Sequence, residues 1–447
     1  MSHFLISVFA MVVVLGFMIL IHEFGHYAAA KLFKVRVEAF SIGFGTRLIG
    51  FRRGDTDYRI SAIPLGGYVK MAGENPMEQL TGDPGEFLSH PRWQRFIIAV
   101  AGPAMNILLA VGLLTGVYMI RYEHSVYLDK PAVIGWVLPD TPAAKAGVEP
   151  GDRIIQIDGV ENPTWDQVIP KVALNPNQPL NVTLLRDGKD LTKTVVPEPG
   201  GLEQYGITGW LEAAPPIVTE LDPGMPAEKA GIKVGDTIEA VDGHKVHHIA
   251  EMVTMLQNTK DKPIEVTVLR NGQSLHFDLK PTLTDAESGR EPRYRVGIHS
   301  EPTTVSRLPL AAAVAKSVEV NKRSSFLILE LIQKMVRRKI SMRQVEGPIG
   351  IGGAVGRAAS EKGWMPLLEI TAAISLNLGI FNLLPIPILD GGVILLLLVE
   401  TVIRRDISLA IKERIYQAAF VFLVLFAVMV IYNDLVKTLP GLAQRLP

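Results

Sequence analysis

The sequence has no cysteine, which excludes disulfides, thiolate metal sites and a thiol nucleophile, so any metal must be held by histidines and carboxylates. It also lacks an excess of charge of either sign, with 45 Lys plus Arg against 45 Asp plus Glu. Without a basic surplus nothing steers the chain toward nucleic acid, and no such partner is expected. Charge is thin altogether: 20% of residues are charged against 48% apolar, and the mean hydropathy is +0.25. That balance is high for a soluble protein of 447 residues and points to a membrane.

Hydrocarbon demands that every backbone polar group pair internally, so a spanning helix takes about 20 largely apolar residues. Phe4 to Ile21, Phe96 to Ile120 and Ile415 to Tyr432 carry no charge, and Ile370 to Val399 carries only Asp390. The first run, followed by Ala28-Ala29-Ala30, invites a signal-peptide reading. Such a peptide wants positive charge before its apolar run, whereas Lys31, Lys34 and Arg36 follow this one. The same bias puts both termini outside and the basic stretches Lys31 to Arg95 and Arg404 to Arg414 in the cytoplasm. Arg121 to Met365 then lies outside, in the periplasm of a Gram-negative cell, and is too long for a loop. It must contain folded domains.

That region repeats itself at a constant offset of 84 residues, as from Pro142 to Pro226. Pro142-Ala-Ala-Lys-Ala-Gly147 aligns with Pro226-Ala-Glu-Lys-Ala-Gly231, Gly151-Asp152 with Gly235-Asp236, and Asp158-Gly159 with Asp242-Gly243. Each copy reads as short alternating strands with Gly and Asp turns plus one helix, Asp166 to Ala173 and Ile249 to Gln257. The pattern resembles bacterial PDZ domains of the circularly permuted, mixed α+β kind. Such domains bind an extended peptide along a sheet edge; as spacers or a steric gate they would bind none. Beyond the repeats, Leu308 to Lys339 interleaves apolar residues with Lys322, Arg323, Lys334, Arg337, Arg338 and Lys339. This predicts a basic amphipathic helix on the membrane surface, with a linker packed on the second domain as the alternative.

At the end of the first span stands His22-Glu23-Phe24-Gly25-His26. Positions four apart share one helix face about 6 Å apart, so both imidazoles can reach one Zn²⁺ while Glu23 acts on a water. Ionisable groups at membrane depth are costly and usually functional. A catalytic zinc needs a third protein ligand, and Asp390 is the only ionisable group of the third span. His22 and Asp390 lie at similar distances along spans running the same way, about 30 Å down at 1.5 Å per residue, so coordination near the cytoplasmic side is allowed. Pro385 and Pro387 must interrupt that third helix, and broken backbone at depth is tolerated where it lines a cavity. Asn382 and Asn377 are polar groups of the same span that could bind an unwound substrate backbone; for Asn377 an interhelical hydrogen bond is equally expected.

These segments together with Asn382-Leu383-Leu384-Pro385-Ile386-Pro387-Ile388-Leu389-Asp390-Gly391-Gly392, the tandem insertion, Phe40-Ser41-Ile42-Gly43-Phe44-Gly45 and Pro64-Leu65-Gly66-Gly67-Tyr68-Val69-Lys70-Met71 resemble the site-2 proteases, intramembrane zinc metalloproteases of class M50. The likeness runs over nearly the whole chain. It implies that His22, His26 and Asp390 ligate one Zn²⁺ per chain, that Glu23 is the general base, and that Val37 to Met71 forms β-strands dipping into the membrane. It further implies a substrate path bordered by Gly43, Gly45, Gly66, Gly67, Asn377, Asn382, Pro385 and Pro387. Val393, where many relatives carry a polar residue, departs from the pattern in local packing only.

The expected fold is therefore a polytopic α-helical membrane protein with about four transmembrane helices, a membrane-associated β-hairpin loop and two inserted PDZ-like domains. Its divisions are residues 1–36 (first span), 37–94 (cytoplasmic-side loop), 95–121 (second span), 122–213 and 214–303 (PDZ-like domains), 304–364 (amphipathic helix and linker), 365–403 (third span) and 404–447 (fourth span and tail). The expected activity is endoproteolysis, in the inner membrane, of single-span proteins already trimmed by another protease. The resemblance suggests anti-sigma factors and leftover signal peptides as substrates, within an envelope stress response. A catalytically silent scaffold binding peptides through its PDZ-like domains would have no need of Glu23, and a metal transporter would want ionisable residues in the second and fourth spans, which have none.

Overall fold

The computed structural model describes residues 3–74, 81–201, 204–284, 292–301, 303–340, 345–361 and 363–438; the expected tail beyond residue 438 lies outside them. The chain forms two compact units, one of Met1–Arg121, Arg307–Ile332 and Val345–Pro447, the other of Tyr122–Ser306 and Gln333–Gln344.

Helix α1 (His3–Leu32) is apolar all round from Leu5 to Ile21, as a helix surrounded by lipid or other helices must be. Two long strands follow, β1 (Val37–Arg53) and β2 (Thr56–Met71). Their register is double: Ala39 to Ile42 align with Lys70 to Gly67 on one side and, in rising order, with Asp57 to Ile60 on the other. Both strands are thus bent at midpoint and folded into a four-segment layer. Gly43, Gly45 and Gly66 make the bends, with φ of +90°, +84° and +131°, values that residues bearing a Cβ avoid. Helix α2 (Arg92–Ile120) then runs beside α1. Its Pro103 removes the N–H that the Ala99 carbonyl would accept.

In the second unit, the first copy has helices α3 (Pro142–Lys145) and α4 (Trp165–Ala173), and the second has α5 (Pro226–Ala230) and α6 (Ile249–Thr259). Each copy builds a four-stranded antiparallel sheet, ordered Val160–Glu161, Arg153–Ile157, Leu180–Arg186, Lys189–Val195 in one and His244–Lys245, Thr237–Val241, Ile264–Arg270, Gln273–Leu279 in the other. Asp158-Gly159 and Asp242-Gly243 close hairpins with both residues at positive φ, as the tightest two-residue turns require. The 84-residue offset extends into the cores: Ile134, Ile154, Val168, Leu180 and Val182 are buried in one copy, and Val218, Ile238, Met252, Ile264 and Val266 in the other. Strand Tyr122–Ser125, where the chain enters this unit, pairs antiparallel with Thr303–Ser306, where it leaves.

Each copy also has the same buried ion pair. Asp236, 1% exposed, takes two hydrogen bonds of 2.7 Å from Arg270, and Asp152 takes 2.6 and 2.7 Å bonds from Arg186. Burial pushes the Asp236 carboxyl up, but the Arg270 guanidinium outweighs it and holds it below its ordinary value of 3.8. With the folded value depressed, the pair's stabilisation is complete above the unfolded value and lost as pH falls through the folded one. Asp236→Asn is expected to cost the second copy about 2 kcal/mol at neutral pH, and acidification to erase the difference between variant and wild type. Amide exchange of Thr237–Val241 in the full-length protein checks this; equal protection of the two proteins at neutral pH would contradict it.

Helix α7 (Leu310–Val336) covers the predicted basic segment. Its buried face of Ala313, Ser317 and Asn321 is turned to the membrane helices: Ser317 is bonded to Thr115 of α2 at 3.1 Å, and Ile328 joins a cluster with Ala110, Ala372 and Leu376. Helix α8 (Pro348–Ser360) begins on Asp434, whose buried carboxylate accepts the amides of Gly347, Ile349 and Gly350 at 2.9, 2.9 and 3.1 Å. The third apolar stretch is not one helix. Helix α9 (Met365–Asn382) stops, residues 383–389 are irregular, and α10 (Asp390–Ile403) restarts. Helix α11 (Leu409–Thr438) leaves Phe420, Leu425 and Val428 exposed, a surface of the kind lipid covers. Among the described residues four helices are long and apolar enough to cross a membrane: Leu5–Leu32, Arg92–Ile120, Met365–Asn382 and Leu409–Lys437.

Candidate metal centre

The irregular stretch after α9 exists because Pro385 and Pro387 supply no N–H to continue a helix. It folds so tightly onto α10 that a Cβ on Gly391 would stand 2.2 Å from the Leu384 carbonyl oxygen, and one on Gly392 2.4 Å from that of Ile386. Only glycine fits either place. Asp390 is thereby set as the first residue of α10, where the helix dipole favours a carboxylate. Ile388 just before it takes φ +90°, an outlier for a β-branched residue of the sort that clusters at active sites.

Asp390 meets the two histidines of α1. Its Oδ2 is 3.1 Å from His22 Nε2, its Oδ1 is 3.4 Å from His26 Nε2, and the two Nε2 atoms are 3.3 Å apart. Among the described residues these three form the group that could hold a metal ion. A tetrahedral ion with ligand bonds of about 2.0 to 2.1 Å holds its donors about 3.3 Å apart, close to the separation of the two Nε2 atoms, and the carboxylate turns a different oxygen to each ring, with one donor atom per residue lying within 4.8 Å of the others. The donor chemistry fits as well. His26 Nδ1 lies 2.8 Å from the Ile98 carbonyl oxygen, so it is the protonated nitrogen and Nε2 presents a lone pair. Lone pairs converging at this spacing are what a cation between them would satisfy.

Helix α2 fixes the two rings. Gly25 of α1 and Gly102 of α2 sit at the crossing: a Cβ on Gly25 would lie 2.3 Å from the Ala101 carbonyl oxygen, and one on Gly102 2.2 Å from His26 Nε2. Asn106, fully buried, places Nδ2 3.2 Å from His22 Nδ1. Sequence reasoning missed Gly102, Asn106 and the Ile98 carbonyl. Asn106, the one side-chain amide after Phe96 in an apolar span, was the available signal.

A cavity of about 460 Å³ opens on this group, lined among others by His22, Glu23, His26, Val69, Asn382 and Asp390. Glu23 is half-buried and stands against β2, where a Cβ on Gly67 would be 3.5 Å from its Cγ. Asn382 extends Nδ2 to 3.5 Å from His22 Nε2. The remaining residues expected on the substrate path fall elsewhere. Gly43, Gly45 and Gly66 shape the β-layer, Pro385 and Pro387 break the third span, and none of them lines the cavity. Asn377 is exposed, because five residues before Asn382 is a rotation of about 140° on a helix, away from the cavity face that Leu378 and Asn382 share.

The chain is similar to known proteins over nearly its whole length. The model of peptidase family M50 matches residues 10–426. The regulator of sigma-E protease RseP of Salmonella typhimurium is 31% identical over 95% of this chain and 97% of that protein. RseP of Escherichia coli is 30% identical over 97% and 99%, and a Vibrio cholerae protein named as a zinc metalloprotease is 31% identical over 98% and 100%. A solved PDZ domain of an SdrC-like protein from Listeria monocytogenes covers 20% of this chain and 90% of its own, at 16% identity and a TM-score of 0.17. Relatives matched from end to end, together with four apolar helices, leave one family: the chain belongs to peptidase family M50, as a membrane-embedded zinc metalloendopeptidase.

Proposed function

We propose that this protein hydrolyses peptide bonds inside the transmembrane segments of single-span membrane proteins, with one zinc ion per chain held by His22, His26 and Asp390. The observation that carries the reading is the convergence of the two Nε2 atoms and the Asp390 carboxylate, at contacts of 3.1 to 3.4 Å, with Glu23 beside them in one cavity. Bound there, the ion supplies Lewis acidity, lowering the pKa of water and polarising the scissile carbonyl. The Glu23 carboxylate takes the proton of the attacking water and delivers it to the leaving amide nitrogen. A helical substrate offers no free carbonyl, so it must unwind before it reaches the site. The β2 stretch from Gly67 to Met71, adjoining Glu23, supplies backbone groups for an extended segment, and the Asn382 amide offers a donor to the exposed chain.

The excess of Lys and Arg in the loops places the insert and both termini on the periplasmic side of the inner membrane, and the metal site toward the cytoplasm. The duplicated domains, of the permuted PDZ type, exclude uncut substrates by size or bind peptide ends. The relatives' name, regulator of sigma-E protease, suggests substrates of the anti-sigma-factor kind and remnant signal peptides, cut after a first protease in an envelope stress response.

The test uses purified full-length protein with a single-span substrate, either intact or trimmed of its outer domain. Cleavage is expected within the apolar segment and to be faster for the trimmed form. A strong chelator should abolish it and added zinc restore it. No cleavage of either form by fully zinc-loaded protein would overturn the proposal.

A further inference from the structure

Asn106 belongs to no stretch that the sequence marks as catalytic, yet its side chain touches the ring of His22. The residue is fully buried, and its place is fixed from two sides. Ser375 of α9 donates a hydrogen bond of 2.8 Å to the Asn106 carbonyl oxygen. Gly379, one turn on, leaves room for the side chain, since a Cβ there would come within 3.4 Å of Asn106 Cβ and 3.0 Å of the Pro103 carbonyl oxygen. The backbone and Cβ of this fully buried residue are thereby held beside His22.

His22 turns Nε2 toward Asp390 and His26, and its Nδ1 toward Asn106. A metal on Nε2 forces the ring proton onto Nδ1, which then needs an acceptor. In the structure the amide nitrogen faces Nδ1 at 3.2 Å, while the amide oxygen is buried without a hydrogen-bond partner. With the proton on Nδ1 that places donor against donor. A half-turn of the amide leaves one of its atoms unpartnered as before, but replaces the opposed donors with a hydrogen bond in a water-poor interior.

Resting on the metal-centre reading, we propose that Asn106 is a positioning residue of the zinc site: its side-chain oxygen accepts the His22 Nδ1 proton, fixing the tautomer and the angle of the ring. His26 receives the same service from the Ile98 carbonyl, so each imidazole has its own acceptor on α2, spaced eight residues apart on one helix face. Both acceptors come from a single rigid element, which sets the two rings as a unit.

The experiment measures zinc affinity of the full-length protein in detergent by competition with a chromophoric chelator, for wild type, Asn106→Leu and Asn106→Asp. Leucine keeps the volume and removes the acceptor; affinity is expected to fall roughly ten- to a hundredfold. Aspartate restores an acceptor oxygen and is expected to bind zinc within a fewfold of wild type, a rescue that a mere packing role would not give. Helical content and thermal stability of the metal-free proteins accompany the titration, so that a misfolded variant is recognised and the Asp rescue then decides. Unchanged affinity in a folded Asn106→Leu, or equal losses in both variants, would overturn the inference alone. Wild-type protein that binds no zinc would overturn it together with the metal-centre reading.

Discussion

Glu23→Gln is expected to hold zinc as tightly as wild type and to cleave a single-span substrate about a thousandfold more slowly. General-base catalysis is worth roughly two to four orders of magnitude, and glutamine keeps the shape of the side chain while losing its capacity to take a proton. Zinc should be retained because the ligand triangle is made without Glu23, from His22, His26 and Asp390. The environment should also survive, since Gly67 makes room for the side chain at Cγ, an atom that both residues share. Parallel measurement of bound metal and initial rate separates the possibilities. A variant that keeps its zinc and cleaves within a few fold of wild type would remove Glu23 from the mechanism. One that loses its zinc would make Glu23 part of the metal's support.

The second large effect is expected from one methyl group. Gly102→Ala puts a Cβ 2.2 Å from His26 Nε2, 2.6 Å from Cε1 and 2.7 Å from Cδ2, distances that no folded protein sustains. The ring has nowhere to retreat, because its Nδ1 is tied to the Ile98 carbonyl. Moving α1 away instead would open the crossing where Gly25 packs so closely that a Cβ there would lie 2.3 Å from the Ala101 carbonyl oxygen. Either the ring or the helix crossing must shift by about an ångström, and a displacement of that size costs on the order of a hundredfold in rate. Zinc affinity should fall with it. Gly112→Ala on the same helix provides the comparison, since a Cβ there meets nothing within 4 Å; it should leave activity unchanged and stabilise the helix by about 0.5 to 1 kcal/mol. Equal activity in the two variants would mean that the close crossing does not position His26.

The two expectations differ in how visible they were from sequence, and the difference has a physical origin. His22, Glu23 and His26 lie within one helical turn and a half, so their shared face follows from the rise of the helix alone. Asp390 stood out as the one charge in its apolar stretch, and Pro385 and Pro387 announced the break that the structure places between Asn382 and Asp390. The repeat offset carried through to individual core positions because a duplicated fold needs apolar groups at the same places. What escaped depends on a second helix. Gly102, Asn106 and the Ile98 carbonyl matter only because α2 crosses α1 at Gly25, and nothing in an apolar run says which side faces a neighbour. Asn377 illustrates the converse: its polarity suggested the cavity, while its helical phase turns it outward. The doubled register of β1 and β2 likewise follows from bends at Gly43, Gly45 and Gly66, which alternation alone cannot distinguish from an ordinary hairpin.

The paired strands at the two ends of the insert have a consequence for how such a protein changes over generations. Thr303 to Ser306 lie directly against Ser125 to Tyr122, so the chain leaves the duplicated region about 5 Å from where it entered. On the membrane side, the Leu308 amide already bonds the Tyr118 carbonyl at 3.0 Å. An insert whose first and last strands are paired can be lengthened, shortened or duplicated between them while its two ends stay together, and the residues that hold the metal lie outside it. The insert and the helices that hold the metal are therefore free to diversify at separate rates.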